Sequence, residues 1–145
     1  MNWHLKPFAQ LSNFELWQIY KSRVDVFVVE QNCAYPEVDE KDLNALHLFA
    51  EQDGILSAYC RIISDDPVAK IGRVLVVRDR RDSGLGRILM QQALQAVQSR
   101  FPEYEIHIQA QLYLRRFYES LGFDAVSADY LEDGIAHIDM VWRQV

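Results

Sequence analysis

The sequence predicts an α/β fold built on a mixed sheet, and three observations carry this prediction. Two strand-like segments, 47–51 and 56–63, are separated by Asp53-Gly54, which is a strong hairpin signal. A third segment, 71–77, is a β-branched apolar run suited to a buried strand. Beyond a glycine-containing turn, apolar residues from Leu85 to Val97 recur at helical spacing. Consecutive antiparallel strands that lead into a βα unit are typical of a mixed sheet.

Composition limits the class of protein. A chain of 145 residues with 50% hydrophobic content suits one globular domain, residues 1–145. The net charge of −6 argues against a nucleic-acid-binding face, which needs basic residues. The sequence contains neither an apolar run of ~20 residues nor a signal-peptide pattern. Cys33 and Cys60 have no metal-type spacing, so we expect free thiols, no bound metal and a cytoplasmic protein.

The N-terminal elements follow from local signals. Residues 3–5 suit a short strand that ends at Pro7. Ser12 and Glu15 form a capping-box pattern, which predicts a helix from Asn13 to about Phe27. Residues 26–29 also suit a strand-like exit, so the end of this helix stays open. The acidic residues 39–42 predict a short solvated turn or helix.

The remaining elements are also indicated by local patterns. Asp65-Asp66-Pro67 predicts a turn before the central strand, and 105–109 alternates like a strand. A helix is expected from Gln111 to Leu121, with Gly122 as its C-terminal cap. The chain should end in a hairpin of 123–128 and 135–142, joined around Asp133-Gly134.

The turn between the central strand and its helix has the properties of an anion site. Gly84 and Gly86 allow positive φ and close approach of a ligand, and the helix N-terminus supplies free N–H groups. Four arginines add positive charge here: Arg78, Arg80, Arg81 and Arg87. An ordinary connection with solvated arginines is the alternative. A dinucleotide loop would need a third glycine where Leu89 stands, and a Walker loop would need Gly-Lys-Ser/Thr.

The pattern Arg81-x-x-Gly84-x-Gly86 resembles the coenzyme A loop of the GNAT family of acetyl-CoA-dependent N-acetyltransferases. The resemblance implies the GNAT acyl-CoA N-acyltransferase fold, with a mostly antiparallel twisted sheet and helices on both faces. It also implies that backbone amides of this turn hold the pyrophosphate of acetyl-CoA, with six residues contributing: Arg81, Asp82, Ser83, Gly84, Gly86 and Arg87.

A second resemblance lies nearer the N-terminus. Arg23-x-x-Val-Phe-Val-Val-Glu30-Gln-x-Cys33-x-Tyr35, followed by Asp39-x-x-Asp42 and His47-Leu48, is similar to the ElaA-type branch of that family. In the family, the region between the first helix and the second strand shapes the acceptor pocket. Tyr35 is therefore a candidate substrate-binding residue.

The segment 116–123 resembles the other GNAT hallmark, in which a tyrosine four residues before Gly-Phe lies beside the thioester sulfur. Tyr118 would then be the general acid, because a phenol with a pKa of about 10 stays protonated near neutral pH; its alternative role is core packing. Gln111 stands where many family members have Asn, so its contact with the coenzyme is an expectation only. The main-chain N–H of Val76 or Val77 would stabilise the oxyanion.

A base must deprotonate the acceptor amine, and the candidates are Glu30, His47 and His137. Glu30 has an alternative role in capping or in pairing with an arginine, and a lone strand histidine is more often structural. Arg61 would bind an acidic group of the acceptor or be an exposed strand residue. Cys33 would support a ping-pong route only with an activating neighbour such as histidine.

The implied function is transfer of an acetyl group from acetyl-CoA to a primary amine by direct attack in a ternary complex. Cationic amines or polyamines fit the acidic chain slightly better than nucleic acid does, and protein amines remain open. A coenzyme A-binding sensor without turnover is the alternative, as is a longer acyl group or another phosphate ligand. We expect no membrane partner, and either a monomer or a homodimer.

Overall fold

The computed structural model describes residues 1–143, so the last two residues of the predicted 1–145 domain lie outside the described range. Three α-helices are present in this range: α1 (Asn13–Arg23), α2 (Leu85–Arg100) and α3 (Arg115–Glu119). The strands are β1 (Asn2–Pro7), β2 (Leu46–Gln52), β3 (Ile55–Asp65), β4 (Val68–Val76), β5 (Glu105–Gln111), β6 (Asp124–Ala125), β7 (Tyr130–Glu132) and β8 (Ile135–Trp142). None of the helices described is long and apolar enough to cross a membrane.

The strands form one sheet in the order β1-β2-β3-β4-β5-β8-β6, with β7 also paired to β8. Neighbouring strands are antiparallel except β4 and β5, which run parallel. The mixed, mostly antiparallel sheet is confirmed. Helix α2 makes the crossover between the two parallel strands, as the βα unit predicts.

The sheet has an apolar cluster on each face. The larger cluster packs Leu89, Ala93 and Val97 of α2 against strand residues such as Ile106 and Met140. The smaller cluster packs Ile19 of α1 against residues of β2, β3 and β4. The capping box is confirmed: Ser12 Oγ accepts from the Glu15 N–H at 3.0 Å, and Glu15 Oε1 accepts from the Ser12 N–H at 2.8 Å.

A bulge in β4 creates the cleft of this fold. Tyr59 pairs with Leu75, whereas Arg61 pairs with Gly72, so β4 carries one extra residue over this stretch. Arg73 lies in the bulge with φ of 51°. Strand β4 pairs with β5 only over residues 68–70, and beyond the bulge the two strands separate. The edge of β4 that faces β5 is therefore open near its C-terminal end.

Two predicted helices are shorter than expected. Helix α1 ends at Arg23 and continues as a π-helical segment, Val24–Glu30. Four of these seven residues are valines, whose branched side chains disfavour regular helix. Gln111 belongs to β5, because it still pairs with His137 of β8, and a 3₁₀ turn at Leu112–Leu114 precedes the short α3.

The final hairpin also differs from expectation. Its turn at Asp133-Gly134 is as predicted, but its first arm is β7 rather than 123–128. Only Asp124 and Ala125 of the expected strand pair with β8, at Val141 and Met140. Strand β8 therefore pairs with two short strands, β6 and β7, along one edge. The alternation of residues within 123–128 does not indicate that the partner strand is divided in this way.

Candidate active site

A cleft of about 1150 Å³ opens where β4 and β5 separate. Eleven of the predicted site residues line it: Glu30, Tyr35, Arg61, Val76, Arg81, Asp82, Gly84, Gly86, Gln111, Tyr118 and His137. Four others lie outside its lining: His47, Val77, Ser83 and Arg87. Two segments distant in sequence, the β4–α2 turn and the chain after α1, thus meet at one opening.

The β4–α2 turn presents free backbone N–H groups beside the cleft. Gly84 takes φ of 81° at the start of α2, a left-handed conformation in which a side chain is strained. Within residues 1–143 the N–H groups of Asp82, Ser83 and Gly84 meet no acceptor, and the first N–H groups of α2 have none inside the helix. The helix dipole adds partial positive charge. The turn therefore fits the pyrophosphate of a coenzyme A-type ligand.

The Arg81 side chain turns back toward the sheet. Its Nη1 and Nη2 donate to the two carboxylate oxygens of Glu30 at 2.5 and 2.7 Å, and its Nε donates to the Val76 carbonyl at 3.0 Å. These hydrogen bonds from Arg81 hold the pKa of Glu30 below its ordinary value. Glu30 is therefore ionised and paired with Arg81, which is the alternative role that the sequence left open. A carboxylate that is already paired is a poor candidate for the base.

The hydrogen bonds of β4 distinguish Val76 from Val77. The Val77 N–H donates to the Ser57 carbonyl at 3.0 Å, so it is occupied. Successive peptide groups of a strand point to opposite sides, which directs the Val76 N–H away from β3 and toward the gap before β5. Its carbonyl points the same way and accepts from Arg81. Of these two N–H groups, only that of Val76 is thus directed toward the cleft.

Tyr118 lies at the base of the cleft on α3. Its side chain is buried and packs edge-on against Phe117 and Phe123, with ring centroids 5.2 and 5.8 Å away. Burial raises its pKa well above the ordinary value, so the phenol stays protonated. Its hydroxyl has no hydrogen-bond partner among the described residues. The residue is therefore both part of the core and a free donor at the cleft.

His137 on β8 is held in one tautomer. Its Nδ1 lies 2.7 Å from the Ile135 carbonyl oxygen, which only accepts, so Nδ1 carries the proton. The lone pair of the neutral ring is then on Nε2. The ring stacks on Tyr130 at 6.1 Å, and the Tyr130 hydroxyl donates to Asp139 Oδ1 at 2.6 Å. Within residues 1–143, His137 is the base candidate that has an unoccupied proton acceptor at the cleft.

His47 has a structural position instead. It is fully buried, its Nε2 donates to the Asp42 carbonyl at 2.9 Å, and its Nδ1 accepts from the Tyr59 hydroxyl at 2.7 Å. Burial lowers its pKa below the ordinary value. Both ring nitrogens of His47 are hydrogen-bonded, and His47 does not line the cleft. The prediction of His47 as a base is therefore wrong, and the residue is structural.

A buried ionic network explains the polar residues between α1 and β2. Arg23 pairs with Glu37 at 2.9 Å and with Asp42 at 2.7 Å, and Arg61 pairs with Asp39 at 2.7 Å and Asp42 at 3.0 Å. Burial alone would raise the pKa of Asp42, but hydrogen bonds from Arg23 and Arg61 outweigh it and lower the pKa. The short turn or helix expected at 39–42 is present as the 3₁₀ segment Glu40–Leu43, with Glu40 and Lys41 exposed. The expected solvation is wrong for Asp42, which is buried.

Arg61 is corrected by the same network. It is only 5% exposed and lines the cleft from β3, but its guanidinium already binds Asp39 and Asp42. It is neither an exposed strand residue nor a free cation for an acidic acceptor. Tyr35 does line the cleft, with the Arg73 guanidinium 5.6 Å from the centre of its ring, and burial raises the pKa of Tyr35 to about 12.

Three further candidates for coenzyme binding, Arg87, Ser83 and Gln111, form hydrogen bonds with other protein groups. Arg87 donates to Ser120 Oγ at 2.8 Å and lies over the Phe117 ring, which ties α2 to α3. Ser83 Oγ donates to the Arg80 carbonyl at 2.5 Å within the turn. Gln111 Nε2 donates to Gln31 Oε1 at 3.3 Å across the cleft. These contacts shape the turn and the opening.

Cys33 and Cys60 are both free thiols. The Cys33 thiol donates to the Asp133 carbonyl at 3.4 Å, and in the part of the chain described no imidazole hydrogen-bonds to it. Nothing in this contact activates Cys33 as a nucleophile.

Sequence reasoning missed Arg73, Glu37 and Asp139. Arg73 pairs with Glu37 at 2.5 Å from the bulge, a position that only the register of β4 reveals. Asp139 lines the cleft two residues beyond His137, on the same face of β8. The alternation along β8 could have revealed Asp139: if Ile138 and Met140 face the core, Asp139 faces the same side as His137.

Comparison with known proteins identifies the family of this chain. Residues 18–144 match the family model described as an acetyltransferase (GNAT) domain. A UPF0039 protein of Schizosaccharomyces pombe is 46% identical over 138 residues, spanning 93% of this chain and 92% of that protein. Protein ElaA of Escherichia coli is 37% identical over 146 residues, spanning 97% and 95%.

Solved structures match over the whole fold. The crystal structure of Escherichia coli ElaA superposes with a TM-score of 0.95 at 34% identity, covering 99% of this chain and 100% of that one. That of an acyl-CoA N-acyltransferase from Pseudomonas aeruginosa superposes with a TM-score of 0.93 at 40% identity, covering 98% and 99%. The chain therefore belongs to the GNAT family, in its ElaA-type branch, and is an acyltransferase that uses a co-substrate of the coenzyme A type.

Proposed function

We propose that the protein transfers the acetyl group of acetyl-CoA to a primary amine by direct attack within a ternary complex. The observation that carries this proposal is the unpaired edge of β4 at Val76, which opens into the same cleft as the free Tyr118 hydroxyl and the free N–H groups of the β4–α2 turn. A donor for an oxyanion, a proton donor and a phosphate site are the groups that this reaction needs.

The β4–α2 turn would hold the pyrophosphate through its backbone. The N–H groups of 82–87 and the dipole of α2 supply the binding, while Arg78 and Arg80 add charge from exposed positions. Arg81 would contribute by fixing the turn against β4, because its guanidinium is already occupied by Glu30 and Val76. The acyl chain would extend into the gap between β4 and β5.

The chemistry would begin with loss of a proton from the acceptor ammonium to Nε2 of His137. The neutral amine then attacks the thioester carbonyl, the C–N bond forms, and the Val76 N–H stabilises the oxyanion. As the C–S bond breaks, the departing thiolate takes the Tyr118 hydroxyl proton and leaves as the thiol. The second nitrogen proton restores Tyr118 as the amide forms, and His137 returns its proton to solvent.

The test is release of free thiol from acetyl-CoA in the presence of mixed primary amines, followed by mass analysis of the products. Transfer requires one thiol released per acetylated amine, with a mass increase of one acetyl group. A coenzyme-binding sensor without turnover would bind acetyl-CoA and release no thiol. Parallel reactions with longer acyl-CoAs would show whether acetyl is the preferred group.

A further inference from the structure

Among the charged side chains that line the cleft, the buried and half-buried arginines are paired with carboxylates of the protein. Three of its arginines are neutralised by the protein: Arg61 by Asp39, Arg73 by Glu37 and Arg81 by Glu30. Lys41 and Arg80 also line the cleft, but both are exposed to solvent. No buried cation in the part of the cleft that the structure describes is left to receive a substrate carboxylate.

Asp139 also lines the cleft, but its charge is not balanced in the same way. It is half-buried, and within the described residues no lysine, arginine or histidine forms an ion pair with it. Tyr130 donates to its Oδ1 at 2.6 Å, and within residues 1–143 no hydrogen-bond donor reaches its Oδ2. Its own N–H donates to Ser127 Oγ at 3.0 Å, so the backbone around it is fixed. A half-buried carboxylate with one free oxygen is a site for a cation.

Asp139 and His137 are held next to each other. They are two residues apart on β8, so both project from the face opposite Ile138 and Met140. Tyr130 touches both, stacking on the His137 ring and donating to Asp139. An ammonium that binds Asp139 is therefore on the same face of β8 as the His137 ring that would deprotonate it.

We infer that the acceptor is a small amine that enters as a cation and carries no carboxylate, with its ammonium held by Asp139. This inference rests on the proposed acetyl transfer and names the substrate class of the same site. Asp139 binds and orients the cation, and His137 removes the proton. A carboxylate on the acceptor would meet Asp139 and would find the cleft arginines already paired.

Three acceptors of one chain length test the inference with acetyl-CoA: 1,5-diaminopentane, pentylamine and 5-aminopentanoate. They present a similar primary amine but net charges of +2, +1 and 0 at neutral pH. We expect kcat/KM to fall in that order, with about a fivefold difference between the first and the last, since a charge contact at a partly exposed site is worth up to roughly that factor.

The variant Asp139→Asn isolates the charge. Asparagine has the same shape, and its Oδ1 can still accept from Tyr130, so the fold around it is kept. The difference among the three acceptors should then shrink to less than about threefold, mainly through a higher KM for the diamine. Asp133→Asn is the matched control, because Asp133 is an exposed carboxylate at the same cleft with φ of 51°, which asparagine adopts readily.

The outcomes separate this inference from the proposed function. Equal use of 5-aminopentanoate and the diamine, or the same charge preference in Asp139→Asn, would overturn it. Turnover with none of the three, while acetyl-CoA still raises the melting temperature, would overturn it as well and leave coenzyme binding in place. Failure of the proposed function would appear instead as no thiol release with any of the mixed primary amines, whether or not acetyl-CoA raises the melting temperature.

Discussion

The carboxylate of Glu30 and the guanidinium of Arg81 form a two-point ion pair, with N–O distances of 2.5 and 2.7 Å. Glu30 ends the π-helical segment after α1, whereas Arg81 precedes α2 and also donates to the Val76 carbonyl. The pair therefore ties the chain on the acceptor side to the open edge of β4. A bidentate pair fixes orientation as well as distance, so Glu30 is a positioning residue for Val76.

Removing the charge of Glu30 should loosen this edge. In Glu30→Gln we expect kcat to fall about tenfold with little change in acetyl-CoA affinity, because the backbone of the β4–α2 turn is untouched. Steady-state kinetics and equilibrium binding would measure the two effects. Asp25→Asn, which breaks only the exposed pair with Lys21, is the control. Loss of the acidic limb of the pH–rate profile in Glu30→Gln would mean that Glu30 is the base after all.

Tyr118→Phe tests the proton donor. Phenylalanine keeps the ring contacts with Phe117 and Phe123 and removes only the free hydroxyl. General acid catalysis contributes about 10²-fold or more, so kcat should fall by that order. The rise in melting temperature with acetyl-CoA should be unchanged. Full activity in this variant would assign Tyr118 to the core alone.

The buried ionic network should dominate the stability of the region between α1 and β2. Arg23→Ala leaves Glu37 and Asp42 buried without their main partner, which should lower the free energy of unfolding by about 3–5 kcal/mol. Urea unfolding would measure this change. Lys21→Ala two residues earlier breaks an exposed pair and should lower it by less than about 1 kcal/mol. Similar losses in both variants would show that the network contributes little.

The pKa shifts in the network predict how stability depends on pH. Burial lowers the pKa of His47 below 6.5, so the unfolded chain takes up its proton first, and this contribution to stability is lost as pH falls below about 6.5. The lowered pKa of Asp42 adds a further loss as pH falls below about 3.8. Both groups therefore lower the free energy of unfolding as the pH falls.

The variant His47→Gln separates the first loss from the second. Its urea midpoint should change less between pH 7.5 and pH 5.5 than that of the wild type, because the titrating ring is gone. The decline below pH 4 should remain. Parallel curves for the two proteins from pH 7.5 to pH 5.5 would rule out His47 as the source of the first loss.

The conformation of the β4–α2 turn was predictable from sequence because it depends on backbone. The turn needs glycine at a positive φ, and a helix must begin beside it, so short-range pattern locates Gly84 and its neighbours. Tyr118 was predicted as the general acid only from its resemblance to a known motif, since spacing alone equally suits a core residue. The capping box of α1 was likewise local and was confirmed.

The acceptor side was not predictable in the same way because it depends on long-range pairing. Asp42 looked solvated in its own segment, and only its contacts with Arg23 and Arg61, both 19 residues away, make it a buried residue. His47 was separated from the cleft by its contact with Tyr59 in the neighbouring strand. Glu30 joined Arg81 across 51 residues. Charge patterns within one segment carry no information about such partners.

The most direct test of the account is the melting temperature of the wild type and of two Gly84 variants with and without acetyl-CoA. At 100 times Kd the ligand should stabilise the wild type by about 2.7 kcal/mol, a rise of roughly 5–10 °C. Gly84→Glu places a negative charge where the pyrophosphate would lie and should not respond, whereas Gly84→Asn, which also tolerates φ of 81° but carries no charge, should keep part of the rise. An equal rise in wild type and Gly84→Glu, or none in the wild type, would contradict coenzyme binding at this turn.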